Sequence, residues 1–438
     1  MIRWLDRAAL AATLVLPAFI MHGRAVAEVL IGIIGLAFLL RCAALRDWSW
    51  LRHGWVKVGA AWWAWVIVCS LPGIGIGGTK SLLQALALGR FLVLVAALEH
   101  AVLAAPAARQ WLQRVLTACS LYIAGQSLLQ AATGRNLQGF PRYGEGELTG
   151  PFLHPRAAAP LSRLLFPTLL PPVARLLNNG IAAKLGAAAL TIAGIGTIVL
   201  IGQRMPVLLT LLGLVVSGLM LRRLRALVAT AILAGALLLA ASVVVSPPTF
   251  YRLVTKFSAQ MEDFPNSDYG LIGARAAFIA LDHPIFGQGY DGFRNVCEDP
   301  HYFRAWSRST DYAADGGGAR ICTIHPHNHY LEALTEAGFP GLLLFCALVV
   351  AWLRGLLRGI GRDPDPLRVG LFVAALIQEW PIASASSFTA IEIGGFFFLM
   401  LGYGLAIARA APVRDTLQGR DAASSTAPIS PSAGRPIT

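Results

Sequence analysis

Three histidines stand at alternate positions, His325, His327 and His329, in the stretch IHPHNHYLEALTEAGFPG over residues 324–341. Imidazoles so spaced suit three chemistries. They ligate a metal where three or four ligands converge, they switch charge near neutral pH, or one of them works as a general base. Pro326 disfavours helix at His325, and Asn328 carries the side chain of a helix N-cap, so a helix is expected to begin at His329. His327 then sits just ahead of a helix N-terminus. The positive end of the dipole there disfavours protonation, and a neutral imidazole can accept a proton. No Cys or acidic residue is spaced to complete a metal set, which favours one base over a zinc site or a solvated loop.

Several charges flank this stretch in the chain. Arg204, in LIGQRMPVLL, stands in a tiny turn between two apolar runs, where it either binds a phosphate or snorkels to the interface. Arg275, in GARAAFIALDHPIFGQGYDGF, falls on a predicted amphipathic helix, as a solvated charge or as a ligand-binding one. Arg142 and Arg156 bracket YGEGELTGPFLHP and stay ambiguous, while Glu145 and Glu147 inside it suit a cation or a base. Asp363-x-Asp365 has the form of a glycosyltransferase metal pair but lies among Pro and Arg, as an ordinary loop would. Arg90 and Glu379 are charges within apolar runs, positions that are expensive in lipid.

The elements that must hold these residues are helices in a membrane. Of 438 residues 56% are hydrophobic and only 13% charged, about half the charged share of a soluble domain. Apolar runs at 7–21, 25–41, 55–76, 82–104, 111–132, 157–178, 183–201, 205–221, 225–246, 331–353, 367–386 and 388–410 do not alternate as barrel strands would. An all-α polytopic protein of about twelve transmembrane helices is expected, nine within 1–246 and three within 331–410. With the N-terminus inside, the basic residues gather on one side, as cytoplasmic connections do: Arg46, Arg52 and Lys57; Arg222, Arg223 and Arg225; Arg354, Arg358 and Arg368. The net charge of +13 then reads as topology, not as a nucleic-acid patch.

The opposite face receives two long segments, 133–156 and 247–330, the latter expected to hold short helices and, at its length, a function. Cys297 and Cys322 both fall in it, on the side where disulfides persist, as a bridge or as two thiols. Residues 411–438, rich in Ala, Ser, Pro and Thr, read as a disordered cytoplasmic tail.

His327 and Asn328, followed after nine residues by Gly338-Phe339-Pro340-Gly341, resemble the motif of the O-antigen ligases, the WaaL-type lipopolysaccharide ligases. GQRMPVL is similar to that family's short turn with an essential arginine, here Arg204, and R-x7-HPIFGQGYDGF to its loop segment with another, here Arg275. The resemblance covers the seventh to twelfth runs, and Gly202 and Gln203 stand where ligases often carry a serine. It implies transfer of a glycan from undecaprenyl pyrophosphate to a sugar hydroxyl of the lipid A core, at the periplasmic face of a bacterial inner membrane. It also implies a GT-C-like architecture, with no metal and no cofactor. His327 would be the base and Arg204 and Arg275 the pyrophosphate ligands, with Arg142, Arg156, His325 and Asn328 possible substrate contacts. Direct displacement would invert the anomeric centre.

Two relatives in the same superfamily, an O-antigen polymerase and a protein O-oligosaccharyltransferase, would use the same donor with another acceptor. A transporter would show repeat symmetry and broken helices at mid-membrane, and no internal repeat is evident.

Overall fold

The computed structural model describes residues 1–306, 316–361, 363–383 and 387–410, the side chain of residue 393 excepted; the tail expected at 411–438 lies outside them. Among the described residues there is no β-strand, only isolated bridges. The helices are α1 (Ile2–His22), α2 (Arg24–Leu45), α3 (Gly54–Cys69), α4 (Gly78–Ala97), α5 (Pro106–Thr133), α6 (Ala158–Leu177), α7 (Ile181–Ile201), α8 (Arg204–Met220) and α9 (Arg225–Val245). The long loop then carries α10 (Pro247–Phe250), α11 (Lys256–Glu262), α12 (Asp268–Asp282) and α13 (Gly292–Val296), before α14 (His329–Leu357), α15 (Pro366–Gln378) and α16 (Ile391–Ala410).

Each of the twelve apolar runs overlaps one of these helices, but the runs are not equal. Among the described residues, seven segments are long and apolar enough to cross a membrane: α1, α2, α4 extended to Val102, α5, α7, α9 taken from Arg222, and α14. Helices α3, α8, α15 and the Gly394–Ala410 part of α16 are apolar but shorter. The 16 residues of α3 reach only about 24 Å, less than a hydrocarbon core. The run expected to continue to 386 stops at Gln378, where Glu379 and, two residues on, Pro381 end the pattern. Helix α9 leaves Leu233, Leu237 and Val244 exposed, the kind of apolar face that needs a lipid neighbour.

Local backbone faults are repaired by neighbours, as a bilayer requires. Helix α6 contains Pro167, Pro171 and Pro172. Pro171 has no N–H to offer the carbonyl four residues back, and Gln113 Nε2 donates to that Pro167 oxygen at 2.8 Å. Gly370 of α15 packs where an added Cβ would lie 2.7 Å from the Phe166 carbonyl, so the two helices meet backbone to backbone. The interior charge Arg90 forms a two-pronged pair with Glu28 of α2, at 2.8 and 3.1 Å, which lowers the cost of placing either in an apolar run. Asp365 accepts from the Leu367 and Arg368 amides at 2.9 and 3.1 Å. Half of the aspartate pair is thus the N-cap of α15.

Helices α3 and α14 run antiparallel. Trp65 Nε1 donates to the Ala337 carbonyl at 2.9 Å, and further along Gly59 faces Leu348. At its loop end this pair carries the residues with candidate chemistry.

Candidate functional site

Helix α14 starts as its capping signal implies. Asn328 Oδ1 accepts from the Tyr330 and Leu331 amides, both at 3.0 Å, satisfying two donors that a helix start leaves open. Its amide nitrogen donates to the Pro381 carbonyl at 2.8 Å, so one side chain fixes both the helix start and the segment after α15. His327, immediately before it, has φ +54°, a left-handed conformation that few non-glycine residues adopt. Its ring lies 4.7 Å from that of His325 and 5.7 Å from Tyr269 of α12, edge to face in both cases.

The three histidines part company here. His329 is buried, with Nδ1 3.0 Å from Glu379 Oε2 and its ring edge-on to Phe388. His325 and His327 stay half-buried at the loop. The alternation that suggested a metal cluster therefore serves two surroundings, one wet and one dry.

Nine residues into α14 the helix breaks. Gly338 has φ +64° and ψ −169°, leaving the carbonyls of Thr335, Glu336 and Ala337 without their usual donors, the more so because Pro340 has no N–H. All three are satisfied from elsewhere: Gln288 N donates to Thr335 O at 2.8 Å, Gly289 N to Glu336 O at 2.9 Å, and Trp65 to Ala337 O. In return Phe339 N donates to Pro284 O at 2.8 Å. The stretch HPIFGQGYDGF is therefore the cap of a broken helix. Gly287, at φ +61°, lies so close to it that a Cβ would stand 2.6 Å from Ala337 N.

Behind the break lies a small cavity bounded by Trp62, Tyr290, Glu332, Glu336, Phe388 and Thr389. Glu332 accepts from Ser387 Oγ at 2.5 Å and Phe388 N at 2.9 Å, and Glu336 accepts from Asp291 N at 2.8 Å. Burial pushes the Tyr290 phenol above its ordinary range, so it stays neutral beside Thr389 Oγ1 at 2.5 Å. Glu332 and Glu336 went unremarked in the sequence. Their spacing of four within an apolar-rich helix start was the signal.

Arg275 occupies a different kind of place. It is 0% exposed and donates to the carbonyls of Cys297 at 2.9 Å, Gly318 at 2.7 Å and Gly316 at 3.3 Å, with Phe303 stacked at 4.5 Å. Cys297 and Cys322 form a disulfide, Cα–Cα 5.6 Å, beside the same guanidinium. Around them Leu271, Ile279, Phe293, Tyr302 and Ile321 form a core of the loop's own. This arginine organises the loop and, in this conformation, presents no face to a ligand. Arg275→Ala should leave buried carbonyls short of donors, costing about 2–3 kcal/mol, and should make the loop protease-sensitive; a loop as resistant as wild type would contradict that role.

Arg204 begins α8 after Gly202 and Gln203, and its guanidinium donates to Gln260 of α11 while Gln203 donates to the Pro155 carbonyl. Around this turn the two loops are clasped. Arg252 pairs with Glu147, and Lys256 with Glu145 at 2.7 Å. The Glu145 carboxyl is held below its usual range first by the Lys256 hydrogen bond, then by the charges of Lys256, Arg252 and Arg204. The two glutamates are accordingly neutralised acids, not an open cation site or a base. Arg252 is also within electrostatic reach of the Tyr269 phenol, whose ring edges His327. Arg204, Arg252 and Lys256 are thus gathered on the clasp between the two loops. Arg252 and Lys256, one helical turn apart opposite Glu-x-Glu, were missed in the sequence. Arg142 donates to the Ala131 carbonyl at 2.6 Å and Arg156 to Glu392 at 2.6 Å, each tying the 133–156 segment to the bundle.

Residues 189–346 match the family model described as O-antigen ligase. That match supports membership of the O-antigen ligase superfamily. No curated relative matches the chain. The O-antigen ligase match takes in α7 from residue 189, α8, α9, the long loop and α14 as far as Cys346, and so spans Arg204, Arg275, His327, Asn328, Gly338 and Gly341. It stops short of α15 and α16, although the resemblance read from the sequence extended to them.

Proposed function

We propose that the chain transfers a glycan from undecaprenyl pyrophosphate to a sugar hydroxyl of the lipid A core, at the periplasmic face of the inner membrane. The observation that carries this is the position of His327 within the segment that matches the O-antigen ligase family model, immediately before the Asn328-capped start of α14. In the step itself the acceptor oxygen attacks the anomeric carbon and its proton passes to the His327 imidazole. The bond from that carbon to the pyrophosphate breaks, and the bonding electrons leave with the lipid pyrophosphate. Arg204, joined by Arg252, stabilises the charge that builds there, since guanidinium donors match phosphate oxygens and are already oriented. Arg275 contributes by keeping the loop folded. No covalent enzyme intermediate is required, so the product anomer is inverted.

Charge-assisted hydrogen bonds of this type are worth about 1.5–3 kcal/mol. Arg204→Ala is therefore expected to lower kcat/KM for the donor roughly ten- to a hundredfold, with the acceptor KM unchanged; a shift confined to the acceptor would reassign the residue. The acceptor is tested by reconstituting the protein with lipid-linked glycan and offering core lipid, peptide or neither. Core-linked product supports the ligase reading. Glycopeptide, or longer lipid-linked chains without acceptor, would replace it with one of the two related transferases.

A further inference from the structure

At the end of the α3–α14 pair remote from His327, a second cluster of ligand-type side chains has no part in the proposed glycan transfer. His53 is the residue before α3. Glu99 and His100 lie in the turn that extends α4, where Leu103 N donates to the Leu98 carbonyl at 3.2 Å. A hydrogen bond over five residues widens the turn, a feature concentrated at functional positions, and here two successive side chains face the same partner. One ligand atom from each of His53, Glu99 and His100 lies within 4.8 Å of the others. The rings of His53 and His100 approach to 4.5 Å at 70°.

We propose that His53, Glu99 and His100 bind one divalent transition-metal ion of the zinc class. Two imidazoles and a carboxylate form a donor set such an ion takes, with a water completing four-coordination. Two further observations point the same way. The His100 side chain is 5% exposed, and its Nε2 lies 3.5 Å from Glu99 Oε2 with no hydrogen-bond partner among the described residues. A buried ring nitrogen left so is costly, and a cation between it and the carboxylate would satisfy both. Trp55 Nε1 donates to Glu99 Oε2 at 2.8 Å, the outer support that orients metal-binding carboxylates. Ligand atoms around a bound zinc stand roughly 3–3.5 Å apart, so closing the site takes side-chain shifts of about 1 Å. The ion would staple the α2–α3 connection to the α4–α5 corner, as a structural site separate from glycan transfer.

The test uses the full chain in detergent, stripped with chelator and dialysed against Co2+. Wild type is expected to take up one Co2+ per chain with a visible absorption band that Zn2+ abolishes, and its unfolding midpoint should rise with either ion. His53→Ala should bind at least tenfold more weakly and show no such rise. Glu99→Gln keeps the side-chain shape and decides the matter if His53→Ala fails to fold. Absence of uptake by wild type, or equal uptake by wild type and Glu99→Gln, would overturn the site.

Discussion

Gly338→Ala should lose about 3–5 kcal/mol of stability, the sum of left-handed backbone strain and of capping hydrogen bonds broken when the loop is pushed away. A Cβ at this position would stand 2.3 Å from the Ile285 carbonyl oxygen and 2.5 Å from that of Pro284. Neither can retreat without releasing Pro284 from Phe339, and Gln288 and Gly289 from Thr335 and Glu336. The loop would then lose its seat on α14, and glycan transfer should fall with it. Gly359 is the control, since it too has positive φ, +67°, but an added Cβ meets nothing within 4 Å. Gly359→Ala should cost only about 1 kcal/mol. Thermal unfolding of the three proteins in one detergent checks both, and equal losses at 338 and 359 would show that the break in α14 does not depend on a glycine.

His327→Ala is expected to lower steady-state transfer by roughly 10²–10⁴-fold, the usual worth of a positioned general base. Its stability should stay near wild type, because the Asn328 cap of α14 runs through the Asn side chain and the Tyr330 and Leu331 amides. Donor affinity should also hold, since the basic side chains sit on α8 and the α10–α11 stretch. His329→Ala should behave in the opposite way. That ring is buried against Glu379, so its loss should reduce stability before it reduces the rate per folded molecule. If His325→Ala lost more activity than His327→Ala, the base would have to be reassigned within the pair.

The sequence made the helical bundle legible because apolar length is a one-dimensional property, and each marked run overlaps a helix, though among the described residues only seven segments are long and apolar enough to span a membrane. The Asn328 cap was legible for the same reason: the signal is local. Helix lengths were less so, since Glu379 and Pro381 shorten α15 below its apolar run. The role of Arg275 was not legible, because a lone arginine on an amphipathic helix looks the same whether it faces solvent or three carbonyls. The reason for Gly338 also lay out of reach, since its partners are fifty residues upstream in the chain. Glu145 and Glu147 read as an open acidic pair until the fold brought Arg252 and Lys256 against them. His53, Glu99 and His100 are split between two connections, and their approach depends on a widened turn that no pattern announces.

Single-turnover transfer in vesicles, with lipid-linked glycan bound and core lipid added, tests the central proposal most directly. Wild type should convert the bound donor to core-linked glycan of inverted anomeric configuration, while His327→Ala should hold the same amount of donor without consuming it. Product of retained configuration, or transfer by His327→Ala at the wild-type rate, would contradict a direct displacement with His327 as the base.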